Sequence, residues 1–566
     1  MGDVLFLALR RLRTPLIALI LAYAFSVVGL VAIPGADPAG NPYHLGFFHA
    51  FYVVSYTATT IGFGEIPFAF TDAQRAWVTF SIYLSVTCWA FTLGSVIALA
   101  QDQAFRAAFA RSRFRNRVER LEEAYFLLLG YGQSNAALAH ALDDLGFRTV
   151  VVETRPDRAR HIEIEGFQQP PLVLVGDARW PDVLQDAGVR GPHCKAVVIQ
   201  VGDDEVAQAI AIGVSVLQPG RYTLARVHSE EACTNLDPFP HITVIDPFET
   251  FATNLALALA SPAVLWAEEW LTGVPGGACP HALNVPEGHW VVLGYGRFGH
   301  SVGHALERAG ATWTAVDSDR HAAQDSHLHK DDNSERALVE AGIENAVGIV
   351  ACTNRDAINL AIVSRARRLK PSLFVAIRQN HVADRALIEA ARADMQFVKA
   401  DVMVHECLQL LVTPLLNRFL MRVRERGKDC AEQLIVSLLT KLDERVPSVW
   451  TFDCDVSQPG LRDVLGPDTQ PPLSLADLLV NPLSPPEKLR AVPLMVLRGN
   501  EEFVLPETGM QLHAGDQILM AGASGVEALQ RRFLLDPSPL GFVRTGIEPA
   551  RSWLFRWIAA RRQPSA

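Results

Sequence analysis

Val291-Val-Leu-Gly-Tyr-Gly-Arg-Phe-Gly299 is an apolar strand that turns at glycines into a helix. The same unit stands earlier as Leu127-Leu-Leu-Gly-Tyr-Gly-Gln-Ser-Asn135. Working outward, both copies continue alike. A second strand ends in an acid, Val150-Val-Val-Glu153 in one and Ala315-Val-Asp317 in the other. Asp177 with Leu184–Gly188 matches Asp331 with Leu338–Gly342, Ala196–Ile199 matches Gly348–Ala351, and Arg226 matches Arg378. Strands alternating with helices at this spacing predict a doubly wound parallel sheet, made twice.

The glycines have separate tasks. The first permits the tight turn, the second lets a pyrophosphate approach the backbone, and the third lets the helix lie close on the strand. The helix N-terminus offers free N–H groups to phosphate, and the acid after the second strand suits ribose hydroxyls. The second copy is complete, with candidate nucleotide contacts at Gly294, Gly296, Arg297, Phe298, Gly299 and Asp317. The first offers Gly130, Gly132, Glu153 and Asp177, but Asn135 stands in the third glycine's place. Asn135 either caps the helix or widens the gap between helix and strand. Weaker binding in the first copy is the expectation. After each copy an amphipathic segment is expected to cross to a partner subdomain, with Asp246-Pro-Phe-Glu paralleling Asp401-Val-Met-Val.

The N-terminal part is of another kind. Pro15–Ile33 and Trp77–Ala100 are apolar runs of about 20 residues, enough to cross a hydrocarbon core of about 30 Å. Arg10, Arg11 and Arg13 precede the first, and six arginines between Arg106 and Arg120 follow the second. Only Arg75 lies between, so both termini are expected on the cytoplasmic side of the inner membrane and the connecting loop outside. The first run lacks a small-residue cleavage site, and no helix carries regularly spaced arginines, so neither a signal peptide nor a voltage sensor is expected. Phe47–Ala58 is short and aromatic, which predicts a re-entrant helix packed inside protein. Gly94, in the inner half of the second run, serves either as a hinge or as a close-packing site, with Thr92 nearby as the alternative hinge position.

The remainder has ordinary soluble composition. Across the 566 residues the net charge is −10, which argues against nucleic acid as a partner. The eight cysteines form no C-x-x-C pair, which suits a reducing cytoplasm. No carboxylate run has EF-hand spacing. Stretches 273–288 and 458–486, rich in Pro and Gly, are expected to be linkers. Arg551–Arg561 mixes Trp, Phe and Arg, and reads as a packed helix or as a segment touching lipid headgroups.

The loop Thr57-Ala-Thr-Thr-Ile-Gly-Phe-Gly-Glu65 closely resembles a potassium-channel selectivity filter. Rings of backbone carbonyls from four loops replace the water shell of potassium. The resemblance implies that Thr60, Ile61, Gly62, Phe63 and Gly64 form the filter. The commonest family pattern has Val, Tyr and Asp where this chain has Ile61, Phe63 and Glu65. Phe63 thus lacks a hydroxyl that would tie the filter to its surroundings. The two α/β copies look like tandem RCK domains, regulators of potassium conductance. The expected fold is a membrane α-helical pore of two spans and a re-entrant helix (1–110), a first Rossmann-like RCK domain (111–288), a second (289–435), a small β-rich lobe (436–540) and a tail (541–566). The resemblance implies a homotetrameric, nucleotide-gated potassium channel and no enzyme, with NAD, ADP or ATP as regulatory ligand and calcium as a further ligand known in the family. A poorly selective cation channel and a regulatory subunit of a potassium transporter are the alternatives.

Overall fold

The computed structural model describes residues 2–162, 164–317, 328–330, 334–462, 464–465, 472–484 and 486–545. Asp331 and nearly all of the tail, including Arg551–Arg561, lie outside the described residues. Contacts divide the chain into two compact units. One holds residues 1–124, 150–162 and 172–194, the other 125–149, 163–171 and 195–566.

In the first unit, α1 (Gly2–Ala32) is followed by the short strands β1 (Gly35–Ala36) and β2 (Pro42–Tyr43), then α2 (Phe47–Ala58), α3 (Asp72–Gln101) and α4 (Gln103–Glu119). Leu9–Ala32 and α3 are long and apolar enough to cross a membrane. Their apolar faces are largely exposed, which separates them from core helices. Helix α1 lies along α3. The Trp77 indole donates to the Ser26 carbonyl at 2.9 Å, and Gly29 leaves room beneath that ring. Helix α2 wedges between them on Val27, Leu30, Val53, Val54 and Tyr56. Helix α3 begins at a capping box, Thr71 with Gln74, and runs unbroken through Gly94. An added Cβ at Gly94 meets nothing within 4 Å, so within one chain Gly94 packs closely on no neighbour. The Thr92 hydroxyl donates to the carbonyls of Cys88 (2.8 Å) and Pro15 (3.2 Å), tying α3 to α1.

The first α/β copy comprises β3 (Tyr125–Leu129), α5 (Gln133–Asp144), β4 (Arg148–Glu153), α6 (Pro156–Ile162), β5 (Leu172–Val175), α7 (Pro181–Asp186), β6 (Cys194–Ile199), α8 (Asp204–Leu217), β7 (Thr223–Arg226), α9 (Glu230–Leu236) and β8 (Ile242–Ile245). Helices α10 (Pro247–Ala260) and α11 (Pro262–Thr272) follow. The second copy has β9 (His289–Leu293), α12 (Arg297–Arg308), β10 (Thr312–Asp317), β11 (Leu328–Lys330), α13 (Glu335–Glu340), β12 (Gly348–Ala351), α14 (Asp356–Leu369), β13 (Phe374–Gln379), α15 (Arg385–Ala390) and β14 (Met395–Val398). Helices α16 (Lys399–Val412), α17 (Pro414–Arg426) and α18 (Lys428–Leu442) complete it. The strand orders, β5-β4-β3-β6-β7-β8 and β11-β10-β9-β12-β13-β14, are the same topology twice. That is the doubly wound order the glycine units predict.

The helices after each sheet are exchanged. Helix α10 of the first copy packs on α12 of the second, and α16 of the second packs on α5 of the first. Strand pairing sets the correspondence between them. Arg226 pairs with Ile245, and Arg378 with Phe397. Asp246 therefore corresponds to Val398 and Pro247 to Lys399. The expected match of Asp246 with Asp401 is three residues out of register, because the apolar stripe repeats nearly every helical turn and sequence alone cannot fix the phase.

Strands β15 (Ser448–Asp453), β16 (Ala491–Arg498), β17 (Glu501–Val504) and β18 (Gln517–Gly522) form an antiparallel lobe in the order β15-β18-β16-β17, completed by α19 (Val526–Leu535) and α20 (Pro537–Thr545). Three expected domain limits need moving. Boundaries at 110, 435 and 540 cut the continuous helices α4, α18 and α20. The stretch 458–486 is no linker over its described part. Leu461, Leu473, Leu475, Leu478 and Leu479 are all buried in the core of the β lobe with Phe452 and Phe533. Its prolines and glycines serve turns between buried leucines rather than a free tether.

Helices α11 and α17 are joined by one ion pair. Arg424 donates to Glu268 through Nε at 2.6 Å and Nη2 at 2.8 Å. Burial pushes the Glu268 carboxyl up and the guanidinium opposes it. Removing one partner strands a buried charge. Arg424→Leu should therefore lower stability by about 3 kcal/mol, the lower end of the range for a broken buried pair, because Arg424 keeps 39% of its side chain exposed. The double variant with Glu268→Gln should recover part of that loss in thermal unfolding.

Candidate functional site

Two constellations carry chemistry, and each lies inside one unit. The first starts at the end of α2. Its C-terminus aims partial negative charge along the helix axis. The chain then turns sharply, with Ile61 and Gly62 N–H groups both donating to the Tyr56 carbonyl. Thr60, Gly62 and Gly64 have φ of 62°, 68° and 94°, alternating with ordinary residues. That alternation points successive carbonyls the same way. Nothing lies within 4 Å of an added Cβ at Gly62 or Gly64, so φ and not space demands glycine there.

The missing hydroxyl of Phe63 is made good from elsewhere. Tyr56 of α2 donates its hydroxyl to the Gly64 carbonyl. Phe63 lies parallel to Tyr52 at 6.1 Å and edge-on to Tyr56 at 5.6 Å. Glu65 accepts from Arg75 Nε at 2.8 Å, Arg75 Nη2 at 3.2 Å and the Phe70 N–H at 2.8 Å. The longer acid is thus a clamp between the loop and α3. Sequence reasoning passed over Tyr56 and Arg75. The signal was there for Arg75, the one cation between the apolar runs.

The second constellation sits at the C-terminal edge of the second sheet. Gly294 turns out of β9 with φ of 93°, and an added Cβ would lie 2.8 Å from the Thr353 N–H nitrogen. Gly296 is the N-cap of α12 and gives it no side-chain cap. Gly299 has no space at all, since its Cβ would fall 2.1 Å from the Gly294 carbonyl oxygen. Asp317 ends β10 and accepts the Tyr295 N–H, which brings it to the glycine loop. Arg297 opens α12 and is exposed. Phe298 differs from expectation. Its ring is buried against Phe248, Phe251 and Phe397, so only its backbone is left for a phosphate. Asn359, also unforeseen, pins the floor of the cleft. It is fully buried, accepts from Thr353 N at 3.0 Å and donates to the Thr353 (3.0 Å) and Arg378 (2.8 Å) carbonyls.

In the first copy Gly130 has φ of 83° and Gly132 is the N-cap of α5, again without a side-chain cap. Asn135 does not cap. Fully buried, it turns back and donates to the Gly130 carbonyl at 2.6 Å, whereas in the second copy Gly299 lies directly against the corresponding Gly294 carbonyl. Tyr131 is held by Glu165 at 2.6 Å, with His140 on the same carboxylate at 3.2 Å. Glu153 is buried and accepts from the Arg155 N–H at 2.9 Å. Asp177 is bound bidentately by Arg179, whose hydrogen bonds hold its carboxyl below the usual range. These two acids sit side by side at strand ends, since Gly176 N–H donates to the Glu153 carbonyl.

With this geometry in view, two family models match the chain. An ion-channel model covers residues 16–102, and the TrkA-N domain model covers 126–247 and again 290–399. Potassium channel protein 1 of Methanocaldococcus jannaschii is 24% identical over 257 residues, 45% of this chain and 72% of that protein. A Trk system potassium uptake protein TrkA homolog of Pyrococcus horikoshii is 24% identical over 143 residues, 23% of this chain and 63% of that one. Among solved structures, the GsuK channel bound to NAD is 16% identical over 94% of this chain and 99% of that chain, with a TM-score of 0.47. GsuK bound to ADP is 20% identical over 72% and 99%, with a TM-score of 0.46. The chain carries an ion-channel domain followed by two TrkA-N domains. That is the make-up of a prokaryotic two-span potassium channel with tandem RCK domains.

The third glycine gives a test that needs no ligand. Gly299→Ala should cost about 1–3 kcal/mol, because the Cβ must push α12 off the loop. Asn135→Gly should cost only about 0.5–1.5 kcal/mol, the loss of one hydrogen bond. Thermal unfolding of the two variants would check the order.

Proposed function

We propose that four copies of the chain form a potassium-selective pore whose opening is set by an adenine nucleotide or dinucleotide on the TrkA-N domains. The observation that carries the pore is the alternation of positive φ at Thr60, Gly62 and Gly64, backed by the Tyr56 and Glu65 ties. One loop supplies a quarter of an ion cage, so a cyclic tetramer is the assembly that completes it. Thr92 and Gly94 lie where α3 would flex in gating. The two candidate spans and the arginines that flank them support an inner-membrane chain with the TrkA-N domains on the cytoplasmic side. Permeation through such a pore is passive.

The nucleotide reading rests on the second copy. Its loop offers backbone N–H groups from Gly294 to Gly299 for phosphates and Asp317 for ribose. The NAD and ADP bound by the GsuK channel support this ligand class. Among the described residues no three His, Cys, Asp or Glu side chains are arranged to hold a metal ion.

Gly62→Ala should abolish selective potassium flux into liposomes, because L-residues avoid the required φ. Unchanged potassium-over-sodium selectivity would remove the pore reading. Asp317→Ala should weaken nucleotide binding about tenfold or more, the worth of a charge-assisted hydrogen bond. It should also blunt nucleotide-dependent gating while leaving selectivity intact. Calorimetry and single-channel recording on the full-length protein would check both, and mass measurement in detergent should find a tetramer.

A further inference from the structure

Four basic side chains converge where the C-terminal strand ends of the two α/β copies face each other, all inside one compact unit. Arg226 ends β7 of the first copy, and Arg378 stands near the end of β13 of the second. Arg297 and Lys399 are the first residues of α12 and α16. Phe248 of α10 lies among them. The Arg378 guanidinium is 5.1 Å from the centre of that ring and 5.5 Å from that of Phe298, and Lys399 Nζ is 5.4 Å from Phe248.

Among the described residues none of the four has a carboxylate within ion-pair distance. The nearest acids are already engaged. Asp246 accepts from Phe248 N–H at 2.9 Å and lies 3.2 Å from His228 Nδ1. Asp204 accepts the N–H groups of His228 and Ser229, and Asp356 those of Asn380 and His381. Arg226 uses one donor on the Val201 carbonyl, while its Nε is buried with no partner. Arg378 spends one on the Cys352 carbonyl at 3.4 Å. Helices α12 and α16 both begin here without a side-chain cap, whereas Asp246 caps α10. Burial, then repulsion from Arg226, Arg378 and Arg297, pulls the Lys399 ammonium down to about 8. Cation–π contacts offset only part of such a cost.

We propose that Arg226, Arg297, Arg378 and Lys399, with the open N-termini of α12 and α16, form a receptor for a polyphosphate group. Guanidinium forks match phosphate oxygens, and two helix N-termini add donors of the same sign. The phosphates have two sources. They belong either to a nucleotide seated on the Gly294 loop, in which case the inference rests on the reading given above, or to free pyrophosphate or a longer inorganic chain.

The test uses the full-length channel in detergent, with sodium pyrophosphate as probe in calorimetry and thermal unfolding. Wild type should bind pyrophosphate and unfold at higher temperature with it. Lys399→Met should weaken that binding about tenfold or more. It should also raise the unfolding temperature of the ligand-free protein, because a repulsive charge is gone. A purely structural lysine would give the opposite shift. Lys399→Arg should keep binding. No pyrophosphate binding by wild type, or equal binding by Lys399→Met and Arg226→Gln, would overturn the proposal. Displacement of pyrophosphate by ADP assigns the phosphates to a nucleotide, and simultaneous binding assigns them to a free anion. ADP binding without pyrophosphate binding sinks this inference alone. Pyrophosphate binding without any nucleotide binding sinks the nucleotide reading alone.

Discussion

Four phenylalanine rings from two sequence copies meet at one point, and the cytoplasmic architecture depends on that contact. Phe298 of α12 stacks on Phe397 of β14 at 4.5 Å, and Phe248 and Phe251 of α10 close against both. Without α10, the apolar face of α12 would be open to water, because its own copy sends α16 elsewhere. Neither α/β copy can bury its glycine-loop helix alone. The two repeats are therefore joined through exchanged helices, and whatever sits on the glycine loop of the second copy lies near a helix of the first. The burial of large aromatic area and the edge-on and stacked geometry both favour this arrangement.

Much of this was legible in the chain. The strand–glycine–helix units gave the sheet topology, because turn glycines and an alternating pattern leave few other solutions. Phe47–Ala58 was readable to the residue, since aromatic apolar sequence stops there at polar Thr59. What was illegible is instructive. The exchange of α10 and α16 is a long-range choice between two similar faces, and an amphipathic stripe does not name its partner. Phe298 lies inside a phosphate-loop motif, yet packing claims its ring. Leu473–Leu479 read as a tether because prolines and glycines flank it, although every leucine in it is buried. The Tyr56 and Glu65 ties depend on a fold-back that no local pattern encodes.

The two copies have diverged at matching positions, and the differences point one way. Gly299 packs bare against the Gly294 carbonyl, while Asn135 holds the equivalent Gly130 carbonyl with its side-chain amide. Pro247 and Asp246 close the start of α10, a proline with no N–H and an acid that caps, whereas Lys399 and Val398 leave α16 uncapped and positive. The first copy has thus spent its polar groups on itself. The second presents unmatched donors. Under the proposed function the first copy serves as a fixed support and the second as the receiver.

Such asymmetry bears on how a signal leaves the site. A ligand shifts a conformational equilibrium only by its difference in affinity between the states. Repelling cations with no carboxylate at ion-pair distance among the described residues give that difference a known sign. Any arrangement bringing Arg226 of one copy nearer to Arg378 and Lys399 of the other is disfavoured when empty and favoured when an anion lies between them. Arg226 ends a strand of the first copy, Arg378 stands near the end of one in the second, and Lys399 opens the exchanged helix α16, so their spacing follows the spacing of the two copies. Under the proposed function, charge neutralisation at this point is converted into a change in how α10 and α16 bear on the partner copy. The Thr60–Gly64 loop is held by a separate set of ties through Tyr56, Glu65 and Arg75, none of which belongs to the cationic cleft. Under the proposed function, selectivity and regulation therefore rest on different atoms.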